Sequence, residues 1–315
     1  MAGSSLVAIP KEGEEVFLEV EGRRVRLSNL AKSFWPGITK GDLLQYYADV
    51  APALLPHLRE RAMVMRRYPD GHAGASFFMK RAPKGKPEWV PTVAIEHGSG
   101  SVIDFPVVND LPTLLWVVNL GCIDLNPWYS RRDDPDRPDF LHFDLDPGEG
   151  ATWETVRAAA LAVRAALEGL GMTAHVKTTG SRGVHVYVAI ERGPIQKDVW
   201  TVAKALALKL AREHPAVLTA EYRKIKRPKG RVVVDYNQNA WGRTLASVYS
   251  VRPTPLATVS TPLEWRELEA GAKLEDFRLG NVPERVRARG DLWAPLAPGA
   301  PGRFDLARLD PGAIT

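Results

Sequence analysis

The order of strand and helix signals in the second half of the chain constrains the fold more than any other feature of the sequence. Short runs of apolar residues predict strands, and apolar residues at helical spacing predict helices. In order, these are a strand at 141–145, a helix at 152–170, strands at 174–178 and 184–190, a helix at 196–213 and a strand at 232–235. This β-α-β-β-α-β order predicts an α+β fold whose sheet is of the split βαβ type.

The rest of the chain predicts smaller elements. After a flexible leader at 1–15, we expect a hairpin at 16–27, a helix at 40–50 capped by Thr39, and a second helix that starts at Pro52. Further elements are strands at 62–66, 76–79, 92–96 and 102–105, a helix at 111–122, and short helices near 263–269 and 283–289. We expect the mixed-charge segment 131–139 to be plain surface.

Composition excludes several classes of protein. The 315 residues are 45% apolar and 25% charged, which excludes a disordered or collagen-like chain. The longest apolar stretch, at 111–120, is interrupted by Pro112 and Asn119 and falls short of the ~20 apolar residues of a membrane span. The first ten residues lack a secretory signal, and the single cysteine, Cys122, can form no internal disulfide. We therefore expect a cytoplasmic protein without membrane contact.

The basic charge is concentrated in three segments. The net charge is +5, and residues 221–231 carry a net charge of +5 on their own. A second cluster is the arginine pair at 66–67, and a third is the basic segment 80–86 beside the aromatic pair 77–78. Each could be an ordinary solvated surface. Basic residues interleaved with aromatic ones also suit single-stranded or terminal nucleic acid, since cations pair with phosphates and rings stack on bases.

Three aspartates lie at the ends of predicted strands. Asp144 and Asp146 are two residues apart at the end of the strand 141–145, so both carboxylates project from the same face. Such close like charges repel unless a cation lies between them, and divalent ions such as Mg²⁺ or Mn²⁺ prefer oxygen ligands. Asp235 ends another apolar strand and could complete a metal-binding site. The alternative is that these residues only form turns at the strand ends.

A glycine-rich turn separates the two acidic strands. Residues 178–185 read Thr-Thr-Gly-Ser-Arg-Gly-Val-His. Glycines let the backbone turn tightly and approach a ligand, and exposed amides and hydroxyls can hold a phosphate. Arg182 and His185 would add a positive charge and a hydrogen-bonding ring. Such a turn is more often structural, and it becomes informative here because of its place between two acidic strands.

Three ordered motifs resemble those of the archaeo-eukaryotic primase superfamily, and of the polymerase domain of bacterial ligase D in particular. The motifs are His-Phe-Asp-Leu-Asp-Pro-Gly at 142–148, Thr-Gly-Ser-Arg-Gly-Val-His at 179–185 and Val-Asp-Tyr-Asn-Gln-Asn at 234–239. The similarity extends over residues 16–295 and includes flanking segments at 27–32 and 249–252. The resemblance implies a primase-like catalytic core with an RRM-like mixed or antiparallel sheet flanked by helices.

The resemblance also implies a domain organisation and an activity. We expect a primase-polymerase domain at 16–295, comprising an N-terminal subdomain at 16–135 with a 5′-phosphate pocket and a catalytic core at 136–252, and then a C-terminal tail at 296–315. The implied enzyme is a template-dependent nucleotidyltransferase, a DNA-directed polymerase or primase. It would add NTPs, preferably ribonucleotides, to a primer 3′-hydroxyl at DNA gaps and ends during non-homologous end joining, by a two-metal mechanism.

Site residues are implied position by position from the motifs and their flanks. Two divalent ions, Mn²⁺ or Mg²⁺, would be bound by the catalytic aspartates Asp144, Asp146 and Asp235. The residues implied to bind the incoming nucleotide are Arg66, Thr179, Ser181, Arg182, His185, Gln238, Arg243 and Arg252. Those implied to bind a DNA 5′-phosphate are Asn29, Lys32 and Lys40, those that stack on DNA are Phe77 and Phe78, and those that follow the DNA backbone are Arg223, Lys224, Lys226 and Arg227.

The implied partners are DNA with gaps or 5′-phosphorylated ends, NTP or dNTP, the end-binding protein Ku and a DNA ligase, in a nucleoid-associated protein. The resemblance implies a monomer and leaves open whether two molecules pair across a break. No lysine adenylation motif of a ligase is found, so we expect a free-standing polymerase or one domain of a longer protein. One position departs from the family pattern: Asn126 stands where many relatives carry a histidine, and asparagine cannot titrate.

Two other functions would use the same residues. A metal-dependent nuclease or phosphatase could employ the same carboxylates, although Pro147 and Gly148 do not suit the phosphatases that form an aspartyl-phosphate. A non-catalytic scaffold could bind DNA ends through the basic segments. Three carboxylates on a phosphate-binding surface would repel such a ligand without a cation, which favours catalysis over a scaffold.

Overall fold

The computed structural model describes residues 7–312 and 314, which form two compact units. The first unit comprises 7–133, 246–260 and 277–291, and the second comprises 134–245, 261–276 and the described residues from 292 onward. The predicted division into 16–135, 136–252 and 296–315 remains a prediction. Within the described residues, no helix is long and apolar enough to cross a membrane.

The structure contains six α-helices and seventeen strands within the described residues. The helices are α1 (Lys40–Leu58), α2 (Leu111–Asn119), α3 (Trp153–Gly169), α4 (Gln196–Glu213), α5 (Trp265–Glu269) and α6 (Val282–Arg289). The strands are β1 (Glu15–Val20), β2 (Arg23–Ser28), β3 (Ser33–Trp35), β4 (Ile38–Thr39), β5 (Met63–Arg67), β6 (Phe77–Met79), β7 (Thr92–Glu96), β8 (Val102–Pro106), β9 (Cys122–Pro127), β10 (Ser130–Arg131), β11 (Asp134–Pro138), β12 (Phe140–Pro147), β13 (His175–Thr178), β14 (Val184–Ala189), β15 (Leu218–Thr219), β16 (Val232–Asp235) and β17 (Pro262–Leu263).

The second unit is built on a six-stranded sheet in the order β15-β16-β12-β14-β13-β17. Its four central strands pair antiparallel, and the edge strand β15 runs parallel to β16. Helices α3 and α4 contact the sheet and each other. The chain order β12-α3-β13-β14-α4-β16 with this strand order is the split βαβ arrangement, so the predicted α+β fold is confirmed.

The side chains of strand β12 alternate between the two faces of the sheet, so one series forms core and the other forms the site. Leu141, Phe143 and Leu145 are fully buried. Since side chains alternate across a strand, Asp144 and Asp146 project from the opposite face. Burial of the apolar series fixes the register, because a slip of one residue would exchange the two faces.

The first unit contains a three-stranded sheet, β6-β5-β9, and the hairpins β1-β2 and β7-β8. One part of its core is a cluster of five buried side chains, with Phe105 and Trp128 in edge-to-face contact at 5.6 Å between ring centroids. The members of the cluster are Ala62, Val64, Ile95, Phe105 and Trp128. Hairpin β1-β2 turns at residues 21–22, where the prediction placed it.

Helix α1 corrects the prediction of two helices divided at Pro52. It is one helix of 19 residues, and Pro52 and Pro56 both lie inside it. The expected capping by Thr39 is present, and two buried tyrosines, Tyr46 and Tyr47, donate hydrogen bonds to backbone carbonyls of the same unit. Fourteen of its 19 residues are buried. Their tertiary packing outweighs the backbone hydrogen bonds that are lost at the two prolines.

Two further elements differ from expectation. The helix predicted at 111–122 ends at Asn119, and the chain then forms the buried strand β9, because Gly121 adopts a positive φ of 80° that ends the helix. The apolar run at 111–122 was predicted as one helix because apolar runs of this length do not by themselves distinguish a helix from a buried strand.

The segment 131–139 was expected to be plain surface. It contains β11 and ends in the fully buried Asp139.

The predicted leader and tail both make defined contacts where they are described. Residues 1–6 of the leader lie outside the described residues. Ile9 is buried and donates its backbone N–H to the Gln45 side chain at 2.7 Å. In the tail, the guanidinium of Arg303 donates to the carbonyl oxygens of Asp139 and Ile190, each at 3.1 Å.

Gly183 should be the least replaceable glycine of the second unit. A Cβ at this position would lie 2.0 Å from the backbone oxygen of Leu145 on the neighbouring strand, so alanine would push β14 away from β12. We expect Gly183→Ala to lower the free energy of unfolding by about 1–3 kcal/mol, as overpacking typically does. Urea unfolding would measure this, with Gly169→Ala as the matched control because nothing lies within 4 Å of its Cβ. Equal stability of the two variants would contradict the close approach.

Candidate active site

The pairing register places four polar side chains in one row across the sheet of the second unit. Lys177 on β13 lies opposite His185 on β14, His185 lies opposite Asp144 on β12, and Asp144 lies opposite Asp235 on β16. Directly opposed residues of antiparallel strands project from the same face. Asp146 is two residues beyond Asp144 and shares that face. The register therefore brings the three predicted catalytic aspartates together with His185.

Close polar contacts connect three members of this row and hold the fourth, Asp235, in place. His185 Nε2 lies 3.2 Å from Asp144 Oδ1, and Lys177 Nζ lies 2.8 Å from His185 Nδ1. At the other end, the Gln238 amide donates to Asp235 Oδ2 at 3.0 Å. The predicted residue Gln238 lies in a 3₁₀ turn, Tyr236–Asn239, that directly follows β16. The row thus begins at the buried amine of Lys177 and ends at the Asp235 carboxylate, which accepts a hydrogen bond from Gln238.

Burial and mutual repulsion shift the aspartates toward their protonated forms. Burial, with the charge of Asp144 as a smaller cause, raises the pKa of Asp146 to about 6, and the nearby arginines Arg182 and Arg227 partly oppose this. The pKa of Asp235 is also raised, chiefly by burial, and the hydrogen bond from Gln238 works against the rise. Both shifts show that the three carboxylates are close enough to influence one another.

The three carboxylates have the chemistry of a divalent metal site. Within residues 7–312 and 314, no three side chains of His, Cys, Asp or Glu are already arranged to hold a metal ion. The donor set is nonetheless composed of oxygen atoms, which Mg²⁺ and Mn²⁺ prefer. Burial is the main cause of the raised pKa values of Asp146 and Asp235, and repulsion from Asp144, which a cation would relieve, is a smaller one. Asp144, Asp146 and Asp235 therefore fit the expected ions.

The glycine-rich turn is held in shape by one hydroxyl group. Thr179 Oγ1 accepts hydrogen bonds from the backbone N–H groups of Ser181, Arg182 and Gly183 at 3.0–3.1 Å. Ser181 and Arg182 are exposed, and Arg182 Nη2 lies 3.5 Å from Asp146 Oδ2. The structure thus gives Thr179 a part in holding the turn, while the predicted nucleotide contacts of Thr179, Ser181 and Arg182 remain predictions.

The basic segment 223–227 lies near the acids of the same unit. Lys224–Lys226 form a 3₁₀ turn, and both lysines and Arg223 are exposed. Arg227 donates to the carbonyl oxygens of Glu221 and Tyr222, and its charge lowers the pKa of Asp146 and Asp235. Arg243 is exposed beyond the 3₁₀ turn Tyr236–Asn239, and its predicted phosphate contact remains a prediction.

In the first unit, a residue that the sequence analysis missed holds two of the predicted arginines. Asp124 on β9 is 2% exposed, and its Oδ1 lies 2.8 Å from Arg252 Nε while its Oδ2 lies 3.8 Å from Arg66 Nη1. The signal was an acidic residue within an otherwise apolar stretch. Asn126, at the position where the resemblance led us to expect a histidine, is also buried on this strand and donates to the Asp124 carbonyl at 3.2 Å.

The predicted phosphate-binding residues of the first unit include a buried lysine. Lys40 is 5% exposed, and its Nζ donates to the Ser28 carbonyl at 2.7 Å. Burial, together with the charges of Lys32 and Arg67, lowers the pKa of Lys40 to about 8. Lys32 forms an ion pair with Asp70 at 2.8 Å. The structure places Lys32 and Arg67 close enough to Lys40 for their charges to affect it, and Arg67 was not assigned from the sequence; the predicted phosphate contacts remain predictions.

Two residues predicted to contact DNA leave their side chains in solvent. Phe77 and Phe78 on β6 are 47% and 60% exposed. Arg67 lies over the Phe77 ring and Arg66 over the Phe78 ring, each at 5.3 Å from the ring centroid. An exposed aromatic pair backed by guanidinium groups suits stacking on bases.

Asn29, the third residue predicted to bind the 5′-phosphate, is exposed and has a positive φ of 55°.

Lowering the pH should relieve the metal-free protein of a destabilising charge at Asp146. Its pKa is raised to about 6 from an ordinary value near 4, so the folded state binds this proton more tightly than the unfolded state. The destabilisation is absent below pH ~4 and grows as the pH rises through about 6. We therefore expect Asp146→Asn to raise Tm at pH 8 and to leave it almost unchanged at pH 4.

Thermal unfolding in the presence of EDTA would measure both values. Glu96→Gln, at an exposed position of β7, is the control and should shift Tm little at either pH. An equal effect of Asp146→Asn at pH 4 and pH 8 would contradict the shifted pKa.

Comparisons with known proteins identify the family of the chain. A profile of the LigD primase-polymerase domain matches residues 39–293. The multifunctional non-homologous end joining protein LigD of Mycolicibacterium smegmatis is 33% identical over 282 residues, which are 88% of this chain and 37% of the relative. The bifunctional non-homologous end joining protein LigD of Bacillus subtilis is 30% identical over 259 residues, which are 80% of this chain and 40% of the relative.

A solved structure gives the same result. The polymerase domain of Mycobacterium tuberculosis ligase D in complex with DNA matches with a TM-score of 0.83 and 30% identity, over 88% of this chain and 99% of that chain. The chain spans about two fifths of the length of the curated relatives named above. It therefore belongs to the LigD primase-polymerase domain family, a family of metal-dependent nucleotidyltransferases.

Proposed function

We propose that this domain extends a primer 3′-hydroxyl with nucleotides, directed by a template, at DNA gaps and ends during non-homologous end joining. The observation that carries the proposal is the row of carboxylates at Asp144 and Asp235, with Asp146 on the same face and a glycine-rich turn beside it. The three carboxylates repel one another and lie beside a turn that suits phosphate binding. A reaction of phosphates that depends on a cation would account for both features. The names of the relatives place those proteins in non-homologous end joining.

Asp144, Asp146 and Asp235 would hold two divalent ions, Mn²⁺ or Mg²⁺. Ions bound there supply Lewis acidity for the attacking 3′-hydroxyl and charge neutralisation for the phosphates. His185 would keep Asp144 oriented through its 3.2 Å contact, as residues behind metal ligands commonly do. Gln238 would do the same for Asp235.

Residues around the glycine-rich turn would hold the triphosphate. Arg182 is exposed and 3.5 Å from Asp146, so it can turn from that carboxylate to a phosphate oxygen. Ser181 presents an exposed hydroxyl on the same turn. Thr179, His185 and Arg243 are further predicted nucleotide contacts of the second unit, and Arg66 and Arg252 are those predicted in the first unit.

Gln238 supports a preference for ribonucleotides. Its amide nitrogen donates to Asp235, which leaves the side-chain oxygen as an acceptor. An acceptor beside a metal-binding carboxylate suits the 2′-hydroxyl of a ribonucleotide, which a deoxyribonucleotide lacks. The proposed order of preference is therefore NTP before dNTP.

Each unit, taken by itself, contains residues that we propose to bind DNA. Asn29, Lys32 and Lys40 would bind a 5′-phosphate, with Arg67 adding charge. Phe77 and Phe78 would stack on bases, and the basic segment 223–227 would follow the backbone. The solved relative was determined in complex with DNA. Ku and a DNA ligase are the proposed partners of a monomeric, cytoplasmic and nucleoid-associated domain.

Removing one carboxylate should abolish extension without removing DNA binding. We expect Asp144→Asn to lower the extension rate on a gapped duplex with Mn²⁺ by more than about 100-fold, because even residues behind metal ligands typically cost 10–100-fold. DNA affinity, measured by fluorescence anisotropy, should change little, because the basic segments remain. Asp104→Asn, at an exposed carboxylate outside the site, is the control.

The outcomes separate catalysis from a binding scaffold. Extension that EDTA abolishes, and that uses NTPs faster than dNTPs, supports the proposal. Near wild-type extension by Asp144→Asn contradicts it. Tight binding to phosphorylated ends without extension by the wild-type protein on any primed substrate identifies a scaffold instead.

The advantage of a 5′-phosphorylated gap should depend on pH through Lys40. Its pKa is lowered to about 8, so it loses its positive charge between pH 7 and 9, whereas the phosphate is already dianionic above about pH 7. We expect the ratio of extension rates on phosphorylated and unphosphorylated gaps to fall over this interval. Lys40→Met should give a low, flat ratio, and Lys209→Met on the surface of α4 should behave like wild type. A wild-type ratio that stays constant from pH 7 to 9 would contradict this role.

A further inference from the structure

Lys177 is a buried lysine of the catalytic sheet that the proposed function does not use. It lies on β13 and is 1% exposed. Burying an ammonium group is costly unless it is paired and hydrogen-bonded. An apolar residue at this position of the sheet would avoid that cost. The place of Lys177 in the row of polar side chains suggests what the amine does.

His185 bridges this amine and a catalytic carboxylate. Its Nδ1 lies 2.8 Å from Lys177 Nζ, and its Nε2 lies 3.2 Å from Asp144 Oδ1. The register places the three residues directly opposite one another on neighbouring strands. Tyr187, two residues along β14, adds an aromatic face, with Lys177 Nζ 6.0 Å from its ring centroid. The imidazole is therefore held at both of its nitrogens.

The two contacts require the same tautomer. An ionised carboxylate only accepts hydrogen bonds, so Nε2 must carry the hydrogen that faces Asp144. In a neutral ring Nδ1 is then the acceptor, and an ammonium group, which only donates, is its matching partner. The opposite tautomer would turn the Nε2 lone pair toward the carboxylates and any cation between them.

We propose that Lys177 is a positioning residue that fixes His185 as an Nε2–H donor toward Asp144 and so prevents the ring from binding the metal. This inference rests on the proposed function, because it treats Asp144 as a metal ligand. A fixed Nε2–H also suits a phosphate oxygen of the incoming nucleotide. The partner that sets the tautomer of a histidine commonly governs what its other nitrogen can do.

Nuclear magnetic resonance tests the tautomer directly. Long-range ¹H–¹⁵N spectra of the metal-free full chain, labelled with ¹⁵N-histidine and assigned with His185→Gln, report which ring nitrogen of His185 carries the hydrogen. We expect Nε2–H in the wild type and a mixture of tautomers in Lys177→Met. An Nδ1–H ring in the wild type, or an unchanged Nε2–H ring in Lys177→Met, would overturn the proposal.

Kinetics test the consequence for the enzyme. We expect Lys177→Met to lower kcat/KM for the nucleotide about tenfold, within the range typical of residues behind a site, with DNA affinity unchanged. In a His185→Gln background the same substitution should have no further effect. Lys177→Gln, which keeps a donor, should recover part of the loss. A tenfold loss that persists in the His185→Gln background would show a structural role and overturn the proposal.

A matched control separates positioning from stability. Val176→Ala changes the neighbouring buried residue on β13, whose side chain projects from the opposite face, and should lower Tm without moving the His185 tautomer. A change of tautomer in Val176→Ala equal to that in Lys177→Met would overturn the proposal. Absence of extension by the wild-type protein would refute the proposed function and leave the spectroscopic test in force, so the two failures are distinguishable.

Discussion

The repulsion among three carboxylates on one sheet face is the constraint on which the rest of the second unit depends. Asp144 and Asp235 lie directly opposite each other on the neighbouring strands β12 and β16, and Asp146 projects from the same face of the sheet. Burial raises the pKa values of Asp146 and Asp235, and the negative charge of Asp144 adds to both shifts. The cations nearby, Arg182 and Arg227, reduce this charge without removing it. The folded chain therefore maintains an electrostatic strain that only an added cation, or a proton, relieves.

Backbone geometry maintains that strain by fixing the strands. β14 approaches β12 so closely that only glycine fits at position 183, and this approach aligns His185 with Asp144. The hydroxyl of Thr179 holds the preceding turn through three backbone N–H groups. Residues of one motif thus have different tasks: glycine and threonine set the position of the strand, and the residues beside them are left to meet a ligand.

Much of this arrangement could be predicted from the sequence, because it depends on period and order. The alternation of β12 indicated that Asp144 and Asp146 share a face, and the order of strands and helices indicated the split βαβ sheet. The continuous helix across Pro52 could not be predicted, since burial of its side chains, which is tertiary information, outweighs the local signal of the prolines. The strand at 122–127 was hidden for a similar reason, because a buried apolar run has no distinctive period.

Two of the residues that the sequence analysis missed share a physical character: each is a charged group buried behind a predicted one. Asp124 is 2% exposed and binds Arg252, and Lys177 is 1% exposed and binds His185. A charge within an apolar strand has no periodic signal of its own, and only the folded structure reveals its partner. Since burying such a charge is unfavourable, its presence is informative once the partner is known. In each unit, a buried charged group thus contacts a side chain that is predicted to bind a ligand. The fold therefore sets the orientation of that ligand-binding side chain.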